Sequence, residues 1–581
     1  MSTRRPLAVA SAFVASEVLV VTALVGPLVG LPWWQGFRAY AYPDQLTYAS
    51  IATNWARGDM RFVEPFTQTG TSHYPSLWYQ LMGLLARVSG LPVYTWWTLM
   101  GLVAVSAAVL ACGWLALRMS GRAWAPILPA LAIYTGVLAA ETTGTWFVEL
   151  LNHARLWGPL ASFFALNSEV AGVCLVVIAM VLILATDPQN GGGYRPWLVV
   201  VAAAILGLTA NVHTYAFFAG AILALAFAAS LAISRSRSVP LMGTTIGLLI
   251  VALVLGPTVA RIFGPLPVFT LVLLAFTPAA LTLARGNVRM ATAVAVAYAL
   301  CAAPQLVRTA IGLTQGDPFL TFRQVSSRGL GVAIPSGLLA ALPLLLLGAV
   351  CVVALWGRRQ HSKNALLVAL TVGAILMSQN DRWGFNQEPY RFWIIFTTLS
   401  GLLMAPVLAW AFTQRARLEG HRQFALTALV ALGMVLWVVS LIDTAGFWHH
   451  ARVQGVFSME DARAQATREV LAGNEGLVVT SACLEPQVLK VITGAQVAHY
   501  NRGLAWPENV KELYRFLEPR DRAAEDPDQL QRAGVSWVLT DSSCRSEWRL
   551  DGDRRLAAAT TATYPRDGGE ATITLWRVQP E

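Results

Sequence analysis

The chain has 581 residues, of which 56% are hydrophobic and only 13% are charged, and its formal net charge is +10. A soluble domain is about 25% charged, so this composition excludes an ordinary soluble enzyme and a disordered chain. The positive charge does not indicate a nucleic-acid partner, because the arginines lie in short loops between long apolar runs, which is a membrane pattern.

Long apolar runs recur along most of the chain. A helix that spans a bilayer needs about 20 mostly apolar residues, and by that measure we expect a polytopic all-α membrane protein with about 11–13 spanning helices. The candidate spans are residues 7–31, 93–118, 123–141, 166–186, 196–211, 214–233, 240–263, 265–284, 290–305, 331–356, 364–379, 391–413 and 424–443.

The basic residues between these runs predict the orientation. With the N-terminus in the cytoplasm and the spans alternating, every cytoplasmic loop is basic, as the positive-inside rule requires. We therefore predict a multi-pass protein of the plasma membrane with a cytoplasmic N-terminus. The basic residues of these loops are Arg4, Arg5, Arg118, Arg122, Arg195, Arg235, Arg237, Arg285, Arg289, Arg358, Arg359, Lys363, Arg415, Arg417 and Arg422.

The opposite face carries the long polar segments, which include a first outside loop at residues 32–92, a loop near 306–330 and a C-terminal region from residue 444. In that last region strand-like runs alternate with helix-like stretches, which predicts a small extracytoplasmic α/β domain. The predicted strands are 476–480, 535–540 and 571–576, and the predicted helices are 459–472 and 507–518. We divide the chain into a membrane domain, 1–443, and a C-terminal domain, 444–581.

Two of the six cysteines, Cys483 and Cys544, lie in the C-terminal domain, each shortly after a predicted strand. An oxidising compartment permits a disulfide between them, and two unpaired thiols are the alternative. The remaining four lie in apolar runs, where we expect small buried side chains. They are Cys112, Cys174, Cys301 and Cys351.

Acidic residues collect on the outside face of the membrane region, where charged groups are costly and usually face cavities. Asp44, in the first outside loop, could accept a proton from an incoming hydroxyl group. It could equally cap a helix, because Pro43 and Asp44 precede an apolar pattern typical of a helix start. The acidic residues are Asp44, Asp59, Glu64, Glu141, Glu149, Glu169, Asp317, Asp381 and Glu388.

Two further polar segments interrupt the apolar runs. His213, in the segment 211–215, either faces a ligand or belongs to a plain polar turn. Arg391 begins a predicted span, where it could bind a phosphate group at the membrane interface. Alternatively, it pairs with Glu388 or extends towards water. Arg323 and Arg328 are further candidates for phosphate binding.

Sequence motifs for soluble nucleotide donors are missing. The chain has no Walker A motif and no glycine-rich dinucleotide motif, and it also lacks the common zinc-protease and serine-hydrolase motifs. A reaction outside the cytoplasm without ATP needs an activated donor that is carried in the membrane. Polyprenyl-phosphate sugars are donors of this kind.

The layout resembles the GT-C superfamily of membrane glycosyltransferases. Its first loop is most similar to that of the actinobacterial arabinofuranosyltransferases that prime cell-wall galactan. The similarity rests on Asp44-Gln45, on Tyr74-Pro75 and on Trp78. Weaker similarity extends to residues 209–215, 391–392 and 499–501.

The resemblance implies an inverting glycosyltransferase that transfers arabinofuranose from a polyprenyl-phosphate donor to a polysaccharide acceptor, galactan, during cell-wall synthesis. Asp44 would be the general base that deprotonates the acceptor hydroxyl. An arginine or a bound divalent cation would stabilise the leaving phosphate. The partners implied are the donor, the acceptor and the bilayer. The substrate-binding residues would be Gln45, His73, Tyr74, Trp78, His213 and Arg391.

Two other classes of protein remain open. A multi-pass transporter or flippase of a lipid-linked or cell-wall precursor predicts inverted repeats, broken helices and charges deep in the spans. The sequence shows no repeat, and its acidic residues cluster on one face. A membrane scaffold without catalysis is the third class, and it does not require a polar outside cleft around Asp44.

Overall fold

A computed structural model describes most of the chain. Three parts of the predicted organisation lie outside the described residues. They are the first predicted span (7–31), the third candidate span beyond Ile133 except for Thr135 and Leu138, and the segment 142–165. The described residues are 36–37, 44–133, 135, 138, 166–190, 195–285, 287–326, 331–415, 420–453, 457–458, 461–481, 483–514, 527–544, 555–566 and 568–579.

Helices make up most of the described chain up to residue 453. In chain order they are α1 (Asp44–Ala56), α2 (Leu77–Ser89), α3 (Val93–Ser120), α4 (Ile127–Ile133), α5 (Ser168–Ala185), α6 (Trp197–Val212), α7 (Thr214–Ser236), α8 (Val239–Phe263), α9 (Pro265–Ala284), α10 (Val288–Thr314), α11 (Pro318–Ser326), α12 (Ile334–Ala340), α13 (Leu342–Leu355), α14 (His361–Ser378), α15 (Pro389–Thr413) and α16 (Gly420–Val453).

Nine helices among the described residues are long and apolar enough to cross a membrane, and a tenth span is added if the bent pair α12–α13 counts as one. The nine are α3, α5, α7, α8, α9, α10, α14, α15 and α16. The prediction of a multi-pass membrane protein is confirmed, and α9 has the predicted bounds of 265–284.

Three of the predicted boundaries that differ from the structure lie in the later spans. The predicted span 331–356 is two helices bent by 72°, and the break lies beside Pro343, which has no N–H group to continue a helix. The predicted loop near 306–330 is largely helical, because α10 continues through Pro304 to Thr314 and α11 follows. Helix α16 also continues ten residues past the predicted end at 443, to Val453.

The chain forms two compact units. The helical unit contains the described parts of Gly101–Arg308 and Gln324–Ala451. The mixed unit contains those of Thr22–Met100, Thr309–Arg323 and Arg452–Glu581.

Helix α15 is the centre of the helical unit, since 89% of its apolar window is buried against neighbouring helices. It packs against α4, α5, α7, α13 and α14. By contrast, only 11% of the windows of α10 and α16 is buried. Their exposed apolar side chains suit contact with lipid chains, which exclude water.

The mixed unit contains the predicted α/β fold. Its sheet contains the strands β3 (Leu477–Thr480), β4 (Gln496–Val497), β5 (Val535–Asp541), β6 (Leu556–Arg566) and β7 (Gly569–Val578). Their order in the sheet is β4-β3-β5-β7-β6, in which β4, β3 and β5 are parallel and β7 and β6 are added in antiparallel fashion. The helices are α17 (Ala462–Leu471), α18 (Pro486–Thr493), α19 (Val510–Tyr514) and α20 (Pro527–Arg532).

The three predicted strands are present, whereas β6 and α18 were not predicted. Apolar side chains cover both faces of the sheet: Val478 and Leu539 pack on one face, and Val479 and Val538 pack on the other. A disulfide joins Cys483 to Cys544, 61 residues further along the chain. It lies just beyond the carboxyl ends of the neighbouring parallel strands β3 and β5.

The first loop belongs to the same unit as this sheet. Short strands β1 (Gly36–Phe37) and β2 (Phe457–Ser458) pair in antiparallel fashion. The backbone N–H of Val497 donates to the carbonyl oxygen of Phe66 at 2.9 Å, and Thr71 forms a β-bridge with Trp506. These contacts position the predicted catalytic loop, while the domain division at 443/444 stays a prediction.

Candidate functional site

The predicted site residues fall into two groups, one in each unit. Asp44 to Trp78 belong to the mixed unit, whereas His213 and Arg391 belong to the helical unit. Arg323 lies on α11, and Arg328 is outside the described residues. The substrate-binding roles of these residues stay predictions.

Asp44 is the first residue of α1, which confirms the predicted helix start. Its side chain lies outside the described part of the structure. The next residue, Gln45, is almost fully buried. The helix therefore begins at Asp44, the residue that the resemblance implies is the general base, and Gln45 is packed inside the unit.

An aromatic stack joins the two halves of the first-loop motif. Tyr48, one turn after Asp44, stacks on Tyr74 with ring centroids 5.4 Å apart and on Tyr79 with centroids 5.2 Å apart. Tyr79 in turn stacks on Trp97 at 5.5 Å. Tyr74 and Tyr79 are both buried, so the packed rings hold the start of α1 beside the Tyr-Pro segment.

His73 is held by a carboxylate that the sequence did not pair with it. Its Nε2 lies 3.7 Å from Oδ2 of Asp317, and both side chains are largely buried. The same carboxylate accepts hydrogen bonds from the Thr71 hydroxyl at 3.1 Å and from the N–H of Leu320 at 3.0 Å. Asp317 thereby caps α11 and fixes the imidazole. A Cβ at Gly312 would lie only 2.9 Å from two atoms of that imidazole ring.

Trp78 lies in the first turn of α2 and is partly exposed. Its indole Nε1 is buried and has no hydrogen-bond acceptor among the described residues. A buried indole N–H normally finds an acceptor. A ligand with a hydrogen-bond acceptor would satisfy it.

The tail segment that resembles the family packs against α1. Asn501 donates from Nδ2 to the hydroxyl of Thr47 at 3.2 Å, one residue before Tyr48. His499 packs edge-on against Phe66 at 4.8 Å and hydrogen-bonds to Gln487. The weak sequence similarity at 499–501 therefore corresponds to residues that support the first loop.

Two oppositely charged side chains are fully buried in the mixed unit. Burial raises the pKa of Glu64 from 4.5 to about 7 and lowers the pKa of Lys490 from 10.5 to about 7. One oxygen of Glu64 accepts bonds from the N–H of Phe66 at 3.1 Å and from the N–H and hydroxyl of Thr67, both at 2.8 Å. Glu64 thus organises the loop backbone through one oxygen, and the expectation that it faces a cavity stays a prediction.

Arg391, at the start of α15, is the centre of the second group. It pairs with Glu388 through Nε and with Glu169 through Nη1 at 3.0 Å. Its guanidinium also lies over the rings of Tyr215 and Tyr390, each with its centroid 5.6 Å away. Of the alternatives for Arg391, the pair with Glu388 is present, and Glu169 is a second carboxylate that the sequence did not assign to it.

The backbone of Glu388 is strained. Its φ of 35° lies in the left-handed region, immediately before Pro389, and such a conformation costs about 1–3 kcal/mol. The carboxylate also accepts a 3.4 Å hydrogen bond from the Tyr390 hydroxyl. The strained residue therefore places its carboxylate against the guanidinium at the first turn of α15.

His213 forms the turn between α6 and α7. Its Nδ1 accepts a 3.4 Å hydrogen bond from the N–H of Ala216 and so caps α7. Its Nε2 lies 3.9 Å from the carboxylate of Glu169. The polar-turn interpretation is therefore correct for the backbone, and the structure brings His213 and Arg391 together on Glu169.

A mostly apolar cavity of about 470 Å³ lies in the helical unit between α12, α13, α14 and α15. Its volume falls within the range of about 300–1,000 Å³ that is typical of small-molecule sites. Gln379 and Thr397 contribute polar groups to a lining that otherwise consists largely of aliphatic side chains. Nothing in the sequence pattern distinguished these helices from the others.

A metal ion would need several ligands close together. Among the described residues, no three histidine, cysteine, aspartate or glutamate side chains lie near enough to one another to hold one. The divalent cation implied by the resemblance stays a prediction, and no step of the proposed reaction depends on it.

Comparison with solved structures identifies the fold. It is similar to that of the arabinofuranosyltransferase AftD from Mycobacteria, with a TM-score of 0.51 and 13% sequence identity over 100% of this chain and 42% of that chain. A weaker similarity is to ArnT from Cupriavidus metallidurans bound to undecaprenyl phosphate, with a TM-score of 0.48 and 12% identity over 97% of both chains.

The oligosaccharyltransferase of Archaeoglobus fulgidus is similar at a TM-score of 0.48 and 14% identity, over 91% of this chain and 69% of that chain. No protein-family model and no curated protein matches the sequence. The structural neighbours are GT-C glycosyltransferases, and the predicted fold class, a polytopic membrane protein with a small C-terminal α/β domain, is confirmed.

Proposed function

We propose that the chain is a glycosyltransferase that moves a sugar from a polyprenyl-phosphate donor to a polysaccharide acceptor outside the cytoplasm. The observation that carries the proposal is the stack of Tyr48 on Tyr74 at 5.4 Å. It joins the Asp44-Gln45 and Tyr74-Pro75 parts of the motif, which are about thirty residues apart in the sequence, into one structural element. The GT-C fold supports the same class of reaction.

In the proposed reaction, Asp44 takes the proton of the acceptor hydroxyl as that oxygen attacks the anomeric carbon of the donor sugar. The bond between the anomeric carbon and the phosphate oxygen breaks, and the polyprenyl phosphate leaves with the electron pair. Attack from the face opposite the leaving group inverts the anomeric centre. Phosphate is a good leaving group, so the reaction does not require a general acid.

The donor has an apolar chain and a charged head, and the helical unit contains a feature suited to each. The cavity between α12 and α15 is lined largely by apolar side chains and suits an isoprenoid chain. Arg391 is the candidate for the phosphate. Because it already pairs with Glu169 and Glu388, a phosphate would have to replace one of these carboxylates.

The finer assignment follows the first-loop resemblance. We propose that the sugar is arabinofuranose, that the acceptor is galactan, and that Gln45, His73, Tyr74 and Trp78 contact the substrates. The buried indole N–H of Trp78, which has no acceptor in the part of the chain that the structure describes, is the strongest support among these four residues. We also propose that the N-terminus is cytoplasmic and that the C-terminal domain is extracytoplasmic.

The test is transfer of radiolabelled arabinofuranose from its polyprenyl-phosphate donor to a galactan oligosaccharide, using membranes that contain the full chain. A general base contributes about 10²- to 10⁴-fold to a rate, so Asp44→Asn should lower transfer by that factor with donor binding kept. Asp59→Asn is the matched control, because Asp59 lies in the same loop and pairs with Arg61 at 2.9 Å.

Each outcome separates two interpretations. Loss of transfer in Asp44→Asn but not in Asp59→Asn supports Asp44 as the base. Full transfer in Asp44→Asn removes Asp44 from the mechanism. If the wild-type chain transfers a different sugar from a panel of polyprenyl-phosphate donors, the arabinofuranosyl assignment fails and the class of enzyme stands. If it transfers none, the proposed class fails, and movement of labelled lipid across proteoliposomes then tests the flippase alternative.

A further inference from the structure

Helix α10 contains a proline that should interrupt it. Pro304 has no N–H group, and in a regular helix its ring clashes with the carbonyl group four residues earlier. The helix nevertheless continues for ten more residues to Thr314. In a lipid environment, backbone groups released by a proline need another partner, because water is not available to them.

The side chain of Asn211, at the end of α6, bonds to the backbone of α10 on both sides of this proline. Its Oδ1 accepts a 3.1 Å hydrogen bond from the N–H of Gln305. Its Nδ2 donates a 2.7 Å hydrogen bond to the carbonyl oxygen of Cys301. In an uninterrupted helix these two backbone groups would bond to each other, so the planar amide of Asn211 takes the place of one helical hydrogen bond.

Close packing of α6 against α10 also keeps these two hydrogen bonds in place. Gly207 lies one turn before Asn211 on α6, and a Cβ at this position would overlap the carbonyl oxygen of Tyr298 on α10. Asn211 itself is buried. The end of α6 is therefore attached to α10 at two successive turns, by close backbone packing and by two hydrogen bonds.

The turn that begins there carries His213. Its Nδ1 accepts the N–H of Ala216, so the proton of a neutral imidazole lies on Nε2, 3.9 Å from Glu169. We propose that Asn211 is a positioning residue: by bridging the interrupted segment of α10 it fixes the α6–α7 turn and so holds His213 against Glu169 in one tautomer.

The residue type matters because one group must donate and accept at once. Asn211→Leu has a similar volume and removes both bonds. Asn211→Asp keeps the acceptor for Gln305 and loses the donor for Cys301. Thr209→Val is the matched control, because Thr209 is buried on the same helix and its hydroxyl donates to the carbonyl oxygen of Leu206 in its own helix.

The experiment reads His213 directly. Histidine is labelled with ¹⁵N in the full chain in lipid bilayers, and the His213 signals are assigned by their loss in His213→Gln. In the wild type and in Thr209→Val, we expect an unprotonated Nδ1 and a protonated Nε2. In Asn211→Leu, we expect signals of both tautomers, with Asn211→Asp between these extremes. A single unchanged tautomer in Asn211→Leu overturns the proposal.

A second variant separates positioning from general destabilisation. Pro304→Ala restores the N–H group that bonds to the carbonyl oxygen of Leu300, and it removes the ring clash, so that Gln305 can bond to Cys301 within the helix. In Asn211→Leu/Pro304→Ala we therefore expect the melting temperature to recover, while His213 keeps its mixed tautomers. Recovery of the single tautomer would overturn the positioning role, because backbone satisfaction alone would then be sufficient.

The effect on catalysis rests on the proposed function. A misplacement of about 1 Å can cost on the order of 100-fold in rate, so Asn211→Leu/Pro304→Ala should lower kcat/KM for sugar transfer by up to that factor. If the wild-type chain transfers no sugar, the proposed function fails, and the ¹⁵N spectra still decide the role of Asn211.

Discussion

Replacing the buried carboxylate of Glu64 by its uncharged isostere should stabilise the mixed unit at high pH more than at low pH. Burial raises the pKa of Glu64 to about 7, whereas an exposed glutamate titrates near 4.5. Between these two values the folded chain keeps a proton that the unfolded chain has lost. Folding is therefore linked to proton uptake, and the free energy of unfolding falls as the pH rises through this window.

The size of the effect follows from the same two values. Each pH unit is worth about 1.4 kcal/mol, so the window from 4.5 to about 7 corresponds to about 3 kcal/mol of lost stability. Glu64→Gln removes this loss and can still accept the hydrogen bonds of Phe66 and Thr67. Its advantage over the wild type should be about 2.5 kcal/mol larger at pH 8 than at pH 5, because a small part of the loss is already present at pH 5.

Amide hydrogen exchange of the full chain measures this difference in stability at individual residues around Glu64. The N–H groups of Phe66 and Thr67 donate to the Glu64 carboxylate, so their opening free energies report on it. Comparing the two chains at one pH cancels most of the intrinsic exchange rate. Glu508→Gln, an exposed carboxylate in the same unit, is the control. An equal difference between Glu64→Gln and the wild type at pH 5 and pH 8 would refute the reasoning.

Lys490 provides a test of opposite sign. Burial lowers its pKa from 10.5 to about 7, so the folded chain is neutral at this position where the unfolded chain is still protonated. The free energy of unfolding then rises with pH between 7 and 10.5. Lys490→Met should therefore gain most over the wild type below pH 7 and least near pH 10. If both chains show the same pH dependence, the assignment of the two groups is wrong.

Two further predictions concern stability. Removing the disulfide by replacing Cys483 and Cys544 with serine should destabilise the mixed unit by up to about 4 kcal/mol, because the bond closes a loop of 61 residues; an unchanged denaturation midpoint would contradict this. Gly256→Ala should lower the melting temperature, since its Cβ would overlap the carbonyl oxygen of Trp383. The control, Gly247→Ala on the same helix, meets nothing within 4 Å and should stabilise the protein by up to about 1 kcal/mol. Equal effects of the two substitutions would show that the close approach at Gly256 does not limit stability.

The sequence predicts the spans well because hydropathy is a local property. Helix α9 has the predicted bounds, and α7 begins at the predicted residue. The error at α10 has a long-range cause. The predicted span ends at residue 305, next to Pro304, whereas Asn211, more than ninety residues earlier, supplies hydrogen bonds to the segment through which the helix continues. No pattern within one segment could reveal this partner.

The same distinction applies to the candidate site. The first-loop motif singled out Asp44, Tyr74 and Trp78, because these residues lie in a recognisable local pattern. Their supports were not predicted: Tyr48 carries no motif of its own, and the carboxylate that binds Thr71 comes from Asp317, 246 residues away. A motif identifies which residues are unusual, whereas the contacts that orient them depend on the folded chain.

The charges in the sequence nevertheless limit which residues can be partners of a buried side chain such as Arg391. A cation that is largely removed from water needs an opposite charge nearby, because its desolvation is otherwise uncompensated. The sequence therefore implies that Arg391 has a carboxylate partner, and both of its partners, Glu169 and Glu388, are among the acidic residues that the hydropathy pattern assigns to the outside face. Asp317, beside His73, is another of that set. The charge argument identifies Glu388, which is three residues away, but it does not single out Glu169, which is 222 residues away along the chain.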